Sequence, residues 1–388
     1  MNRNALLAAS FFLYFGAGGV VMPILSLLLK QKGATGAEIG LITAAFPVAV
    51  LIAAPIAAGQ VERFGHVRRF LVAGGLATLA GLLLFAFAGT WGAMIAGIVI
   101  FAFARAPLPP LLDWLTLRAL GDNSDRYGAI RLWGSFAFLL TAWVFAGTLK
   151  DAVELPLLIG GGLLGLFSLG VLFLPEPPAV DQGATKGGSK RAVIAHHVLW
   201  PLLLVALAMG FADGIADVGF SLHLDRLFAG SDEVATVDIV ADATAIGVAS
   251  ELLMLALAPL LLRRVGPMPL VLAGMAAGVI RWTVIGLATD PSVLTFVQAL
   301  HGFTFAAFWT GAVAIVAEHA PLHALGSAQA LLTAAMGGLG PLAASAVIAV
   351  SLGRVELDLV FLALAVVVAG ATVYCGLRLR PAVAAARW

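Results

Sequence analysis

Nine ionisable side chains lie inside long apolar stretches of this sequence, and its chemistry is concentrated there. They are Arg105, Asp113, Arg131, Asp213, Asp217, Asp242, Glu251, Arg281 and His301. An ionised group at the centre of a bilayer costs about 2.5–3.5 kcal/mol on insertion scales. Such groups persist where they face a cavity or a partner of opposite charge. The set therefore predicts a polar cavity in which a solute binds or a proton moves.

Asp113 and Arg131 are placed to hold a polar solute. They lie on consecutive predicted helices joined by a short loop, each within about two turns of the inner helix end. A carboxylate and a guanidinium there can pair and still bind a substrate, and the neighbouring Trp133 offers a stacking surface. The alternative is a salt bridge that only fixes the two helices. Arg105 either faces the same cavity or extends towards the membrane surface.

Glu251, Arg281 and His301 lie on three consecutive predicted helices and can reach a similar depth. A carboxylate shielded from water can take up a proton and release it when a guanidinium approaches. The three residues therefore indicate proton coupling. The alternative is a satisfied ion pair with a hydrogen-bonded histidine.

Asp213 and Asp217 are four residues apart and share one helix face. Two carboxylates on one face repel when both are charged, so one of them is expected to hold a proton. This pattern indicates a further proton or cation site. The alternative is a wet helix end with both side chains solvated, as expected for Asp242 near the outer end of its span.

The elements that must position these residues are membrane-spanning helices. The 388 residues are 61% hydrophobic and 11% charged, with a mean hydropathy of +1.04. Soluble domains carry about 25% charged residues, and in lipid only helices and closed barrels satisfy the backbone. No period-2 alternation is seen, so we expect an all-α membrane protein, and the first run is a retained helix rather than a signal peptide. The predicted spans are 5–29, 37–61, 70–89, 92–119, 128–148, 155–174, 198–224, 239–262, 268–288, 292–317, 325–350 and 357–378.

A linker over 176–196, rich in Gly and Lys, divides the spans six and six. It predicts a six-helix bundle over 1–175 and another over 197–388. With both termini in the cytoplasm, 14 Lys and Arg lie inside, counting Arg118 and Arg378 at the inner ends of their spans, with 5 outside and 3 in the span interiors. This bias predicts that orientation in the cell inner (plasma) membrane.

Glycine and proline crowd two of the predicted spans. Pro107, Pro109 and Pro110 interrupt the fourth span, and residues 337–341 of the eleventh contain three glycines and a proline. They indicate either close packing of helices through small residues or kinked helices that line a moving pathway.

Several other classes of function are excluded by the sequence. The net charge of +1 gives no reason to expect a nucleic-acid partner, and the single Cys375 permits neither an intramolecular disulfide nor a cysteine metal cluster. No Walker-type loop and no catalytic or metal-ligand spacing stands out. We therefore expect no enzyme activity, no cofactor and no metal.

The segment after the second span carries a family resemblance. The run from Glu62 to Arg69 reads Glu-Arg-Phe-Gly-His-Val-Arg-Arg, and Arg263-Arg264-Val265-Gly266 follows the eighth span. The chain resembles the major facilitator superfamily along its whole length, which implies twelve helices in two six-helix halves. The resemblance implies a gating loop formed by Glu62, Arg63, Gly65, Arg68 and Arg69. Glu in place of the usual Asp, and His66 in place of a basic residue, depart from the motif.

Within the superfamily the chain is most similar to lactose permease and the phenylpropionate permeases. The similarity is carried by Tyr127–Ser135, Ile280–Trp282 and Gln298–His301. It implies substrate binding by Asp113, Arg131 and His301. It implies coupling by Glu251 and Arg281. Where lactose permease has its principal proton-binding Glu, a Lys and a galactose-stacking Trp, this sequence has Thr304, Gln298 and Phe138.

These departures disfavour galactosides and move the proton site to another acid. Phe138 and Trp133 suit a flatter or more apolar solute such as an aromatic acid, whose carboxylate would seek Arg131, Arg105 or Arg281. We also expect Gln298 to line the substrate site. The sequence thus predicts a monomeric proton symporter for a small organic solute in contact with lipid. A drug/proton antiporter, and a membrane assembly or signalling protein that transports nothing, are the alternatives.

Overall fold

The structure is a computed structural model that describes residues 3–121, 126–145, 152–174, 196–228, 236–320 and 325–379, without the side chains of 62–64 and 326. Within these residues the chain is helical and contains no strand. Twelve helices are long and apolar enough to cross a membrane. They are α1 (Arg3–Gln31), α2 (Gly36–Val61), α3 (Val67–Ala86), α4 (Trp91–Leu120), α5 (Tyr127–Phe145), α6 (Glu154–Val171), α7 (Leu199–Phe228), α8 (Thr236–Val265), α9 (Pro267–Leu287), α10 (Pro291–His319), α11 (Ser327–Ser351) and α12 (Leu357–Leu379). The predicted all-α fold and its twelve spans are confirmed.

Short polar turns begin several of these helices. Thr35 and Glu38 form a reciprocal capping box at the start of α2. Thr90 and Asp290 accept hydrogen bonds from backbone N–H groups in the first turns of α4 and α10. Helix N-termini leave backbone N–H groups without intrahelical partners, and these side chains supply acceptors. The turns therefore fix where these spans begin.

Irregular winding interrupts several of the spans. The helix of α4 ends at Arg105 and resumes at Leu108, because the prolines that follow lack an N–H and collide with the preceding turn. In α11 a π-helical segment covers Ala335–Leu339. Both interruptions were predicted from Pro and Gly. The interruption in α10, a 3₁₀ turn at Val297–Leu300 followed by a π-helix at Gly302–Ala307, coincides with no such cluster of Pro and Gly.

The chain forms two compact units. Unit 1 comprises Met1–Gly183 and Phe228–Ala245, and unit 2 comprises Ala184–Leu227 and Ile246–Trp388. Of the predicted linker over 176–196, only His196 is among the described residues. In unit 1, α1 packs on α5 and α6, and α3 packs on α4 and α6; in unit 2, α9 packs on α10 and α12.

Helices α8 and α10 approach each other closely at Gly302. The Gly302 N–H donates to Ser250 Oγ at 2.9 Å. A Cβ atom at Gly302 would lie 2.6 Å from the backbone carbonyl carbon of Ser250, closer than real Cβ contacts come. This approach brings the residue before Gly302, His301, next to the residue after Ser250, Glu251.

We predict that Gly302→Ala destabilises the protein by about 1–3 kcal/mol, because the added methyl group meets backbone rather than a movable side chain. The measurement is the thermal unfolding of purified protein in detergent. Gly337→Ala is the matched control, since a Cβ there meets nothing within 4 Å. Equal stability of the two variants would contradict the close approach.

Candidate functional site

The guanidinium of Arg281 is the centre of a polar cluster in unit 2. Arg281 lies on α9 and is 7% exposed. Its Nε and Nη2 donate to Gln298 Oε1 at 3.1 and 2.6 Å. Its Nη1 donates to Thr304 Oγ1 at 3.1 Å and to His301 Nδ1 at 3.2 Å. The cation is therefore held mainly by three neutral side chains of α10.

The winding of α10 presents these three side chains to Arg281. Gln298 lies in the 3₁₀ turn, and in such a turn side chains three residues apart eclipse each other. Gln298 and His301 therefore lie one above the other. Thr304 follows in the π-helical segment, a rare winding that recurs at functional sites.

His301 links Arg281 to Glu251. The His301 Nε2 lies 3.7 Å from Glu251 Oε2, and both side chains are largely buried. The imidazole stacks on Phe305 with ring centroids 5.8 Å apart. The structure thus brings together Glu251, Arg281 and His301, the three residues predicted to couple transport to a proton.

Asp213 and Asp217 of α7 differ in environment. Asp213 Oδ1 lies 3.9 Å from Arg281 Nη1, and the Asp213 side chain is 15% exposed. Asp217 is exposed. Asp213 therefore joins the cluster, while Asp217 lies one helical turn further along α7.

A second cluster lies in unit 1. Arg131 Nε is 3.8 Å from Asp113 Oδ1, and each side chain is about one-third exposed. The predicted pairing of Asp113 with Arg131 is present.

Aromatic rings of α1 surround this cluster. The Arg131 guanidinium lies 4.0 Å from the centroid of the Phe15 ring and 5.5 Å from that of Phe11. Arg105 lies 5.6 Å from the Tyr14 ring, and the Tyr14 hydroxyl donates to the Arg105 carbonyl. Stacking on rings and pairing with a carboxylate both suit the planar guanidinium.

Of the other predicted substrate residues, Phe138 lies on the same face of α5 as Arg131, whereas Trp133 and Gln298 make other contacts. Phe138 is two turns beyond Arg131 on the same face of α5, and its ring and Arg105 Nη2 both border Gly18. Trp133 lies about 200° round the helix from Arg131, contacts Phe136 edge to face and is half-exposed. It is Phe15, not Trp133, that stacks on Arg131.

Gln298 is 4% exposed, and its amide oxygen accepts hydrogen bonds from Arg281.

The predicted gating loop has a tight backbone. Gly65 and His66 take positive φ values of 69° and 59°, which reverse the chain between α2 and α3. Arg68 Nη1 donates to the Leu174 carbonyl at 3.1 Å, just beyond the end of α6. Arg69 is exposed. The side chains of Glu62 and Arg63 lie outside the described residues.

Sequence reasoning missed the aromatic partners of the unit 1 cations and the role of Thr304. Phe11, Phe15 and Tyr14 lie close together on one apolar helix, where core packing is the ordinary expectation. Their spacing of three to four residues, together with two arginines inside other spans, was the available signal. Thr304 follows His301 by three residues and carries no comparable signal.

Comparison with known proteins decides the family. The model of the MFS_1 like family matches residues 5–349. The chain belongs to this family. It is a multi-pass membrane protein and a secondary transporter of small solutes, not an enzyme. The resemblance to the major facilitator superfamily drawn from the motifs is confirmed.

Several relatives cover most of the chain, and two of them are 28–29% identical to it. The "Probable 3-phenylpropionic acid transporter" of Escherichia coli (strain K12) is 29% identical over 346 residues, 87% of this chain and 88% of the relative. The maltose permease of Geobacillus stearothermophilus is 28% identical over 346 residues, with 87% and 85% covered. Among solved structures, a mutant of the nucleoside transporter NupG superposes with a TM-score of 0.87 at 19% identity, covering 97% of this chain and 99% of that one. At that identity the likeness concerns the fold.

We predict that Arg131→Lys lowers the apparent affinity for the transported solute at least about tenfold. An ammonium group has no planar face to lie along Phe15 and binds a carboxylate as a point charge. The measurement is the concentration dependence of uptake. Arg118→Lys is the matched control, because Arg118 stacks on Trp114 but is exposed. An unchanged KM in Arg131→Lys would argue for a purely structural salt bridge.

Proposed function

We propose that the protein is a proton-coupled symporter that carries a small organic solute across the cell inner (plasma) membrane by alternating access. The observation that supports coupling is the contact series in unit 2. Asp213 lies beside Arg281, Arg281 binds His301, and His301 faces Glu251. Two carboxylates, a guanidinium and an imidazole inside apolar helices are costly. They are the groups that proton relays in transporters use.

The solute is proposed to bind at the unit 1 cluster. Asp113 and Arg131 offer an acceptor and a donor, and Phe15 and Phe138 offer ring faces. An aromatic acid fits best, since Arg105 and Arg131 outnumber Asp113. The names of the two relatives, which mention 3-phenylpropionic acid and maltose, support an aromatic acid and a sugar as classes to test, and a nucleoside is the third class.

The remaining features of the proposal come from charge and composition. The bias of Lys and Arg supports a cytoplasmic position for both termini. The two six-helix bundles are 1–175 and 197–388, joined by the linker over 176–196. The protein is proposed to work as a monomer in contact with lipid, with protons and a small-molecule substrate as its partners and without nucleic acid.

The test is uptake into proteoliposomes under an imposed proton gradient. Labelled 3-phenylpropionate, uridine and maltose are the solutes to compare. We expect accumulation of at least one above its equilibrium level, collapsed by a protonophore. Accumulation that requires no gradient, or export driven by inward protons, would contradict symport and favour a uniporter or an antiporter.

We predict that Glu251→Gln lowers this accumulation several-fold, because the variant removes the carboxylate that faces His301. Glu154→Gln is the control, since Glu154 lies in unit 1 beside Lys32 and is 43% exposed. Full accumulation by Glu251→Gln would remove Glu251 from the coupling residues.

A further inference from the structure

Neutral groups accept almost all of the hydrogen bonds that Arg281 can donate. A guanidinium carries five N–H groups. Four of them are donated to Gln298, Thr304 and His301, including both on Nη1. The Nη1 atom is also the one nearest to Asp213, at 3.9 Å. Asp213 is thus close to the cation but receives no hydrogen bond from it.

The same contacts fix the tautomer of His301. Arginine only donates, so His301 Nδ1 must accept the bond from Arg281 Nη1. The proton of the neutral imidazole is then on Nε2, the nitrogen that faces Glu251. While Arg281 holds Nδ1, the imidazole has no free nitrogen on which to take a proton from Glu251. A relay from Glu251 through His301 is closed in this conformation.

Asp213 has no donor for either carboxylate oxygen. Both Oδ1 and Oδ2 are buried and lack a hydrogen-bond partner among the described residues. A buried carboxylate that is charged and without donors costs several kcal/mol more than its neutral acid. The charged and titratable groups that act on it are Arg281 of α9, His301 of α10, Glu251 of α8 and Asp217 of α7 itself.

The backbone of α7 holds Asp213 in this place. A Cβ at Gly210 would lie 2.7 Å from Met336 Cα, so α7 touches the π-helical segment of α11 one turn before Asp213. Residues Ala335–Leu339 of that segment contain no ionisable side chain and offer none to Asp213. Helix α11 therefore packs against α7 one turn before Asp213 without supplying a charge.

We propose that Asp213 is the residue that binds the transported proton, and that Arg281 is the cation that displaces it. In the protonated state the carboxyl group is neutral and Arg281 stays bound to α10. When an Nη1–H of Arg281 leaves Thr304 or His301 and binds an Asp213 oxygen, the proton on Asp213 passes to water and an ion pair remains. This inference rests on the proposed symport and assigns its proton site.

Asp213→Asn tests the assignment, because asparagine has the shape of the protonated acid and cannot release a proton. We expect it to unfold at the temperature of the parent protein or above. We also expect proton-driven accumulation to fall to the equilibrium level, while exchange of labelled for unlabelled solute across the membrane stays within about threefold. Exchange needs the loaded carrier to reorient but needs no proton release.

Glu154→Gln is the control here as well, since Glu154 belongs to unit 1 and its side chain is 43% exposed. It should accumulate solute as the parent does. The inference is overturned if Asp213→Asn still accumulates, if it loses exchange as well, or if it is markedly less stable than the parent. A parent protein that shows no proton-driven accumulation would instead remove the proposed symport itself.

Discussion

A guanidinium among apolar helices needs polar partners. The hydrogen bonds from Arg281 to side chains of α10 are the interaction on which the polar cluster of unit 2 depends. Gln298, His301 and Thr304 supply three neutral acceptors to one buried cation. Neutral acceptors satisfy hydrogen bonds without cancelling charge. The field of Arg281 therefore remains available to Asp213 and to Glu251 beyond His301. Replacing one neutral partner by an acid would fix the charge in a permanent salt bridge.

In unit 1, Arg131 is stabilised by a different set of contacts. Arg131 has one carboxylate neighbour, Asp113, and lies against the ring faces of α1. Aromatic faces attract cations and at the same time pack as apolar surface. An ion pair that remains one-third exposed between such rings is open to a solute. The buried Arg281 cluster, by contrast, is arranged for proton chemistry rather than for contact with a solute.

Much of this architecture follows from the sequence, because lipid imposes simple rules on it. Apolar length predicted the twelve spans, and Pro107–Pro110 predicted the break in α4. The cost of burying charge singled out Asp113, Arg131, Glu251, Arg281 and His301. The sequence could not distinguish Asp213 from Asp217, since that difference arises from the packing of α7 against α9 and α11. It also could not show that Phe15 replaces Trp133 beside Arg131, because this depends on how α1 rotates against α5.

The winding of α10 was equally beyond prediction. A 3₁₀ turn is followed there by a π-helical segment, and no cluster of Gly and Pro marks the change. Both segments contact α8 and α9. A wide turn contains one more residue than a regular one. If this π-helical turn moved along the helix, His301 would rotate relative to Thr304, and the other backbone hydrogen bonds of the helix would be kept. Such a shift would exchange one acceptor of Arg281 for another with little change to the rest of α10.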